Sequence, residues 1–567
     1  MRESMHYRKW AALAMSPLLA VAGLTAVTAS PTAAAQAASQ KVFIQLGDSF
    51  ASGEGAGWNA NTDSNQNAGQ ANRQGTDVAA RYDSSSQKWV YHPETSVYQA
   101  DTYRELNGWW GSNPCHRAYK APITHVKGYF DKALNLACSG AQSKHIWPYS
   151  AGGKDQHSGV APQLEQLKEA ISPTDDVQLV AIGVGGNDIK IPAYEKPGFG
   201  ALVVGCIEAF VHTYYQDGYG ERRCRDDIEP GAGDAVSEVF YNQLKTIDLV
   251  QQTLAAKGHP VGSYKLVLTG YPSITPTNFS DWSTGGEAGQ WSDNCPVRRY
   301  DSSYINNHVV SRLNDVIQVA AEERGVGFIN MEEAFEGHRL CEAETLRGSY
   351  AVSHPERAEW VRFLDVHDVN PVWEGAKSML FGEESDEKKS KELNSQRSIA
   401  ESFHPNALGQ QALGTCLKTY YNDDPANSLQ RCFVGGVGQR DTPESMVTSA
   451  IPKKTDVTDN PTGSVAVGAP LTRTVTVPDS VEAGHYFQWL PNITHPRKGH
   501  LRIHITAPDG TVFKMRDYNW SDTGAFSNGT STRNYTGDPS GTWTLKIWDG
   551  DLSTHNGTLD RWTLKLF

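Results

Sequence analysis

The segment KVFIQLGDSFASGE, residues 41–54, joins a short apolar run to a glycine-rich turn. The run at 41–46 has the composition of a buried strand, and the tripeptide GDS, with its serine at position 49, follows directly. Parallel sheets commonly present reactive side chains where a strand passes through a sharp turn into a helix. Taken alone, the pattern favours a simpler role, because a serine after a strand usually only caps the next helix.

Further apolar runs and helical patterns alternate along most of the chain. Buried strands are predicted at 177–183, 265–269 and 326–329. Helices are predicted at 163–171, 235–257 and 302–323, the last because its apolar residues fall on one face with a period of 3.6. Since strands and helices alternate with no tight hairpin between strands, the pattern predicts an α/β domain with a parallel sheet.

The C-terminal part of the chain has a different pattern. It follows a stretch at 434–462, rich in Gly, Thr, Pro, Asp and Lys, that we interpret as a linker. Beyond it, apolar and polar residues alternate at 500–506 (HLRIHIT) and at 542–548 (TWTLKIW), and Asp-Gly pairs typical of hairpin turns occur at 509 and 549. Residues 463–567 are therefore predicted to form an all-β sandwich.

The N-terminal segment, residues 1–37, is predicted to be a secretory signal peptide. A basic start precedes an apolar run at 10–27 and the small-residue cleavage site Ala35-Gln36-Ala37. A membrane anchor is the weaker alternative, because Ser16 and Pro17 interrupt the run. No later run reaches the ~18 apolar residues that a spanning helix needs. The mature protein is expected to be secreted, extracellular and without a transmembrane segment.

The charge of the chain and its cysteine content indicate which classes of partner and which cellular compartment are compatible with it. The chain has 51 Lys and Arg against 64 Asp and Glu, a formal charge of −13, which disfavours nucleic acid as a partner. Eight cysteines, an even number, favour disulfides in an exported protein. Eight cysteines allow 105 connectivities. Their spacings suggest the sequential pairs Cys115–Cys138, Cys206–Cys224, Cys295–Cys341 and Cys416–Cys432.

Four short motifs resemble the conserved blocks of the GDSL/SGNH hydrolases. They are GDSFASGE at 47–54, ACSGA at 137–141, GGND at 185–188 and FHP at 403–405, in the order that the family expects. NPCHR at 113–117 also resembles the disulfide-bearing loop of secreted bacterial lipases and esterases in this family. One block is weak evidence, whereas four in order are specific. The resemblance implies a flavodoxin-like, three-layer SGNH hydrolase domain over 38–433, with insertions at about 59–110 and 354–400.

The resemblance also implies a role for individual residues. Ser49 is expected to be the nucleophile and His404 its base, because a neutral hydroxyl attacks poorly without one. The oxyanion is expected to be held by the backbone N–H groups of Ser49 and Gly140 and by the side-chain amide of Asn187. The structural alternatives are a turn glycine at 140, a helix cap at 187 and a structural histidine at 404. No metal is expected in the active site, and no cofactor is needed for catalysis.

One position departs from the family pattern. The usual Asp-x-x-His would place an aspartate three residues before His404, and this chain has Glu401 there. Glu is longer by one methylene, so its carboxylate cannot occupy the place of the Asp carboxylate without a shift. Two options stay open: His404 is oriented by the Glu401 carboxylate, or by its main-chain carbonyl. The first option predicts that Glu401→Gln slows the reaction severely.

The tail resembles the P domain (P/homo B), a jelly-roll-like β-sandwich that follows the protease in subtilisin-like proprotein convertases. The resemblance rests on GHLRIHITAPDGT at 499–511, GTWTLKIWDG at 541–550 and GTLDRWTL at 557–564. Relatives of this domain often bind calcium, and candidate ligands for such a structural calcium are Asp509, Asp538, Asp549 and Asp551. Turns favour Asp for other reasons as well. The module is expected to stabilise the enzyme or to hold it near a substrate surface.

Together these observations predict a secreted, monomeric carboxylester hydrolase that acts by a Ser-His acyl-enzyme mechanism on lipid or polymer-linked esters. The alternative within enzymes is a carbohydrate O-acetyl esterase. The alternative from another class is a non-catalytic surface-binding protein that retains the fold.

Overall fold

The computed structural model describes residues 39–57, 80–83, 88–91, 115–157, 159–190, 198–215, 223–228, 236–282, 295–345, 355–363, 401–423, 428–435, 442–451, 455–460, 462–468, 470–479, 486–522, 524–527, 531–535, 537–550 and 556–566. The predicted signal peptide and most of the two predicted insertions lie outside these ranges.

The described residues up to 451 contain nine strands. They are β1 Lys41–Gly47, β2 Ala80–Asp83, β3 Lys88–Tyr91, β4 Lys132–Asn135, β5 Asp176–Gly183, β6 Lys265–Thr269, β7 Gly327–Asn330, β8 Leu429–Val434 and β9 Met446–Ala450. Seven of them form one sheet in the order β4-β1-β5-β6-β7-β8-β9, in which only β9 pairs antiparallel. Strands β2 and β3 form a separate antiparallel pair. The predicted parallel sheet is confirmed.

Helices connect the parallel strands. They are α1 Ser49–Ser52, α2 Pro122–Val126, α3 Gln163–Ala170, α4 Phe199–Tyr215, α5 Cys224–Ile228, α6 Ser237–Ala256, α7 Arg299–Ile305, α8 Ser311–Arg324 and α9 Ala407–Asp423. A short π-helical segment, Asn306–Val310, joins α7 to α8. Short 3₁₀ turns cover Lys127–Tyr129, Ser143–His145, Tyr149–Ala151, Gly186–Asp188, Phe279–Asp281, Pro355–Arg357, Pro443–Ser445 and Lys498–His500.

The helices cover both faces of the sheet, which gives three layers. Alternate residues of β1 point to opposite faces: Val42 and Ile44 belong to one hydrophobic cluster and Phe43 to another. Helices α3, α6 and α8 contribute to the first cluster, and α2 and α9 contribute to the second. The strand segment that opens this domain is therefore buried on both sides, as its near-continuous apolar run predicts.

The C-terminal part is an all-β sandwich of two sheets, as predicted. Its strands are β10 Thr455–Asp459, β11 Gly463–Val465, β12 Leu471–Val477, β13 Tyr486–His495, β14 Leu501–Thr506, β15 Val512–Arg516, β16 Phe526–Ser527, β17 Ser531–Asn534, β18 Gly541–Asp549 and β19 Gly557–Leu566. One sheet has the order β10-β19-β13-β16, with β11 on β19 and β17 on β13; the other has the order β12-β18-β14-β15. Fully buried Trp543 and Trp562 lie in the core between the sheets.

The predicted linker at 434–462 needs a correction. Part of it forms β9, which extends the first sheet, and part forms β10, which pairs with β19 in the sandwich. Met446 at the start of β9 is buried in the core of the α/β domain. The segment was predicted to be a linker because its composition is polar. An edge strand can have such a composition, since only one of its faces needs to be buried.

The sandwich contacts the α/β domain through β13 and β19. Leu490 joins the hydrophobic cluster of the α/β domain, and Lys565 Nζ lies 3.7 Å from Glu322 Oε2 on α8 with both side chains buried. At the edge of this contact, Arg561 Nη2 lies 3.3 Å from Glu323 Oε1. A cavity of about 470 Å³ lies beside these residues. The two parts are therefore packed against each other.

The eight cysteines form the four sequential disulfides suggested by their spacing, and none is free. All four lie in the α/β domain or at its edge, so the sandwich carries none. Within the ranges given above, no helix is long and apolar enough to cross a membrane.

Candidate active site

Ser49 lies at the C-terminal end of β1, where the strand turns into the short helix α1. Gly47 has a φ of +145°, and a Cβ at this position would lie 2.2 Å from the Gly183 carbonyl oxygen. Only glycine therefore lets β1 turn this close to β5. The N-cap of α1 is Asp48, whose carboxylate accepts the N–H of Phe50 at 3.2 Å. The capping role considered for Ser49 thus belongs to its neighbour.

The structure brings His404 to Ser49 across 355 residues of sequence. The His404 Nε2 atom lies 2.8 Å from the Ser49 hydroxyl oxygen. His404 stands in the loop before α9, and the Phe50 ring packs on it with centroids 5.4 Å apart. The two residues that the sequence assigned to nucleophile and base are therefore in hydrogen-bond contact.

The acceptor that orients His404 is neither of the two expected from Glu401. The Nδ1 atom lies 3.1 Å from the main-chain oxygen of Ser402, one residue later. Phe403 between them has a φ of +60°, a left-handed conformation that turns this carbonyl back toward the imidazole. A carbonyl oxygen only accepts, so Nδ1 carries the proton and Nε2 presents its lone pair to Ser49.

Several charges act on the pKa of His404. Burial of the ring lowers this pKa, whereas the charge of Glu54, the hydrogen bond to Ser402 and the charge of Glu401 raise it. The charge of His116 lowers it further, and the net result is a pKa below 6.5. Glu401 itself is fully buried. Its charge is thus a minor influence on His404, rather than the source of the orienting hydrogen bond.

The loop that carries His404 is supported by a segment that the sequence assigned to an insertion. Arg362 N–H donates to the His404 carbonyl at 2.8 Å, and Phe403 N–H donates to the Arg362 carbonyl at 2.8 Å. Asn406 N–H donates to the carbonyl of Trp360, which is fully buried. The start of the predicted insertion at 354–400 therefore packs in the core, where residues 358–363 are buried. Residues 364–400 lie outside the described ranges.

Glu54 is a buried carboxylate beside this loop. Its Oε2 atom accepts a hydrogen bond from His116 Nδ1 at 2.5 Å, and its side chain is fully buried. A Cβ at the next residue, Gly55, would lie 3.3 Å from the His404 Cβ, so this segment packs directly on the histidine. Burial alone would raise the pKa of Glu54, but the charge and hydrogen bond of His116 and the charge of His404 bring it to about 2.

Gly140 lies in a tight turn beside Ser49. Its φ is +77°, and the turn is tied to β1 by the Cys138 N–H, which donates to the Gly47 carbonyl at 3.0 Å. Gln156 Nε2 donates to the Ser139 carbonyl, and its nitrogen would lie 3.4 Å from a Cβ at Gly140. In a trans peptide the N–H points away from the carbonyl, so this contact fixes the direction of the Gly140 N–H.

Asn187 lies in the short turn after β5 and does not cap a helix. Its Nδ2 donates to the Ala141 carbonyl at 3.2 Å, and Gln142 Nε2 donates to the Asn187 carbonyl at 2.8 Å. The side-chain amide has two N–H donors. One of them is therefore used to hold the Asn187 turn against the Gly140 turn.

A buried polar network links these turns beneath Ser49. Tyr271 donates from its hydroxyl to Asp48 at 2.6 Å and accepts the Gly186 N–H at 3.0 Å. Burial raises the pKa of Asp48 to about 7, although the hydrogen bonds from Tyr271 and Phe50 oppose the rise. Asp188 accepts from the Ser143 hydroxyl at 2.8 Å, which anchors the same region. The three expected oxyanion donors thus stand on segments that are bonded to one another.

The structure adds residues to which sequence reasoning gave no role. Glu54 and His116 both lie inside quoted motifs, yet their pairing across 62 positions has no local signal. Gln156 and Tyr271 lie in no motif at all. Such residues are found only from the fold, because their partners are distant in sequence.

Three of the four acidic residues proposed for calcium lie within the described residues. Asp549 is buried at the far end of β18 and faces His495 Nε2 at 3.3 Å, whereas Asp509 and Asp538 lie near the start of that strand and bond within their own turns. Asp551 lies outside the described residues. Within those residues, no group of three His, Cys, Asp or Glu side chains is placed to hold a metal ion.

Comparison with known proteins gives matches for both parts of the chain. Residues 485–566 match the proprotein convertase P-domain family. Lipase 2 of Streptomyces coelicolor is 27% identical over 216 residues, which is 38% of this chain and 60% of that protein. An esterase of Streptomyces scabiei is 23% identical over 241 residues, 39% of this chain and 62% of that protein. The chain thus spans about three fifths of the length of the curated relatives it matches.

Among solved structures, phospholipase A1 from Streptomyces albidoflavus NA297 is similar at 19% identity and a TM-score of 0.33, covering 66% of this chain and 95% of that one. The sequence matches confirm the resemblance drawn from the motifs. The chain resembles Streptomyces lipases and esterases, and its C-terminal sandwich is a P domain.

Proposed function

We propose that the protein is a secreted, monomeric serine carboxylester hydrolase in which Ser49 attacks the ester carbonyl. The observation that carries this proposal is the 2.8 Å contact between the Ser49 hydroxyl and His404 Nε2. The similarity to proteins named lipase and esterase supports the same class of reaction.

In the first half-reaction, His404 Nε2 takes the hydroxyl proton as Ser49 bonds to the ester carbon. The tetrahedral intermediate then collapses, the proton passes from the imidazolium to the leaving alcohol, and an acyl-enzyme remains. In the second half-reaction, His404 deprotonates a water that attacks the acyl carbon, and the proton returns to Ser49 as the acid leaves.

The negative charge on the carbonyl oxygen needs donors that are already in place. The N–H groups of Ser49 and Gly140 and the second N–H of the Asn187 amide are the proposed donors. Losing one such donor typically costs ~2.7–4 kcal/mol of transition-state stabilisation. The carbonyl of Ser402 keeps His404 in the productive tautomer, and the carboxylate of Glu54 supplies negative charge near the imidazolium.

The test is a panel of p-nitrophenyl esters of increasing acyl length, measured with wild type and Ser49→Ala. We expect wild-type turnover and a loss of at least about 10³-fold in the variant, because the nucleophile is removed. Ser263→Ala is the matched control, since this hydroxyl is exposed and donates only to the Pro260 carbonyl.

The same panel separates the proposal from its alternatives. Activity on long-chain esters supports a lipid or polymer-linked substrate. Activity confined to acetyl groups on sugars identifies a carbohydrate O-acetyl esterase instead. Absence of turnover in wild type, with binding to polymer retained, identifies a surface-binding protein and refutes the proposal.

Secretion is tested separately by sequencing the N-terminus of protein recovered from culture medium. Cleavage after Ala37 supports the predicted signal peptide, and a chain retained in the cell with Met1 contradicts it.

A further inference from the structure

Among the described residues, the contacts of the P domain with the α/β domain come from one of its two sheets. Leu490, Arg561 and Lys565, which contact the α/β domain, lie on β13 and β19 of the first sheet. The second sheet, β12-β18-β14-β15, is the other layer of the sandwich. Its outer face therefore points away from the α/β domain.

A row of basic side chains crosses this outer face. In strand register, Lys546 lies opposite His504, and His504 lies opposite Lys514. Both lysines are exposed. Among the described residues neither lysine forms an ion pair. The exposed carboxylate of Asp517, just after β15, acts on His504 and Lys514 through its charge, and it is itself paired with Arg502 at 2.8 Å. Lys514 and Lys546 stand on β15 and β18, on either side of β14, so the His504 position separates the two lysines.

The imidazole in the middle of the row has unused hydrogen-bonding capacity. His504 Nε2 is buried and has no hydrogen-bond partner among the described residues. Burial and the charges of Arg502 and Lys514 lower the pKa of His504, and the charge of Asp517 opposes them. The row therefore offers two ammonium groups and a largely neutral imidazole at neutral pH.

Two aromatic residues follow β15 and pack against Gly550, just after the end of β18. The rings of Tyr518 and Trp520 stack with centroids 5.3 Å apart and an interplanar angle of 24°. A Cβ at Gly550 would lie 2.9 Å from each of these rings, so the backbone packs closely against them. Trp520 is nevertheless 57% exposed. Tyr518 is half-buried beneath the Arg502 guanidinium, which lies 4.4 Å from its ring centroid, so Trp520 is the exposed member of the pair. An exposed tryptophan held in place by a second ring is typical of a binding surface rather than of a core.

We propose that this face of the P domain binds an acidic polysaccharide. Carboxylate or sulfate groups of the polymer would pair with Lys546 and Lys514, and a sugar ring would lie with its apolar face on Trp520. The chain as a whole carries −13, so attraction for a polyanion has to be local to this face. The exposed threonines of β12, at 472, 474 and 476, add hydroxyl groups that suit a polymer of sugars better than the interior of a membrane.

The experiment uses the full chain with Ser49→Ala, so that turnover does not alter the polymer. Its mobility is measured in native gels that contain alginate, a polyuronate, or dextran, a neutral polymer, at fixed ionic strength. We expect retardation by alginate and not by dextran. Lys514→Gln with Lys546→Gln is expected to weaken alginate binding about tenfold, and Trp520→Ala is expected to weaken it as well.

A charge-matched control is Lys168→Gln with Lys257→Gln on the α/β domain, which is expected to bind alginate like the parent. Unchanged unfolding midpoints, and unchanged ester turnover where Ser49 is kept, show that the face variants are folded. Wild-type affinity in the Lys514/Lys546 variant, or equal retardation by dextran, overturns the proposal. Preference for anionic lipid vesicles or for an oligonucleotide over alginate overturns it too.

Discussion

Glu54 accepts a hydrogen bond from His116 Nδ1 at 2.5 Å, and its carboxylate is fully buried. It lies next to the loop that carries His404, the histidine that contacts Ser49. The family places an aspartate three residues before that histidine, and here a main-chain carbonyl takes over its hydrogen bond. A carbonyl is neutral, so it stabilises an imidazolium less than a carboxylate does. The negative charge that the carbonyl lacks is present nearby in Glu54.

Replacement of Glu54 by Gln is expected to change the pH dependence of ester hydrolysis. The Glu54 charge raises the pKa of His404, so its loss moves the acid limb of kcat/KM to lower pH, by about one pH unit. The turnover number on the plateau falls, because the imidazolium is less stabilised. Glu332→Gln, which removes a half-buried carboxylate hydrogen-bonded to Asn314, is the control and is expected to leave the pH profile unchanged. A wild-type midpoint in Glu54→Gln contradicts the prediction.

The same carboxylate predicts how stability depends on pH. The pKa of Glu54 is about 2 in the folded protein, below its ordinary value of 4.5, so the folded state favours the ionised form. Its contribution, on the order of 3 kcal/mol, is present above about pH 4.5 and is lost as the pH falls toward 2. Urea unfolding of wild type and Glu54→Gln at pH 7 and pH 3 measures this. The stability difference between the two proteins is expected to shrink at pH 3, and an equal difference at both pH values rules the effect out.

How far the sequence predicts this molecule depends on the range of the interactions involved. Strands β1, β5 and β6 are continuous apolar runs, and they were predicted because burial on both faces leaves a local signature. Strand β4 is short and mostly half-buried, and β9 is an edge strand inside a polar stretch, so neither has that signature.

The site divides in the same way. Ser49, Gly140, Asn187 and His404 stand in local motifs. The acceptor of Nδ1 depends on one left-handed residue, Phe403, which no composition rule indicates. The role of Arg362 was not predicted, because this residue lies close to a long charged stretch of sequence. Its backbone nevertheless forms hydrogen bonds with the loop that carries His404.

Glu401→Gln is expected to change the rate little. If the Glu401 carboxylate oriented His404, the amide would favour the wrong tautomer, and comparable changes in hydrolases cost about 10⁴-fold. Because Nδ1 bonds to the Ser402 carbonyl, we expect kcat to stay within about tenfold of wild type. Steady-state kinetics on a short p-nitrophenyl ester, with Ser402→Ala as a control that keeps the carbonyl, checks this. A severe loss in Glu401→Gln restores the carboxylate to the orienting role.

Gln156→Leu is expected to lower kcat, by as much as about 100-fold, with a smaller change in KM. The leucine cannot donate to the Ser139 carbonyl, so the Gly140 N–H is no longer held toward the developing oxyanion. A boronic acid that forms a tetrahedral adduct with Ser49 probes the same donor without turnover, and its affinity is expected to fall in parallel. Loss of kcat with undiminished boronate affinity places the effect of Gln156 elsewhere.

Two ion pairs between the P domain and α8 differ in burial, and we expect them to contribute differently to the free energy of unfolding. Lys565 and Glu322 are only 1% and 6% exposed. Lys565→Met leaves the buried Glu322 carboxylate with its hydrogen bond from Gln318 but without the lysine as counter-charge, and is expected to destabilise the protein by ~3–5 kcal/mol. Arg561→Gln is the matched control, because Arg561 and Glu323 are 46% and 29% exposed and such pairs contribute about 0–1 kcal/mol.

Guanidinium unfolding of the full chain, followed by ester turnover and by tryptophan fluorescence, measures both variants. The double variant Lys565→Met with Glu322→Gln is expected to recover part of the loss, because no buried charge is left unpaired. If the pair joins the domains into one cooperative unit, Lys565→Met shifts the loss of activity and the fluorescence change together. If Lys565→Met lowers the guanidinium midpoint of the fluorescence change but not the midpoint for loss of activity, this contact does not stabilise the α/β domain.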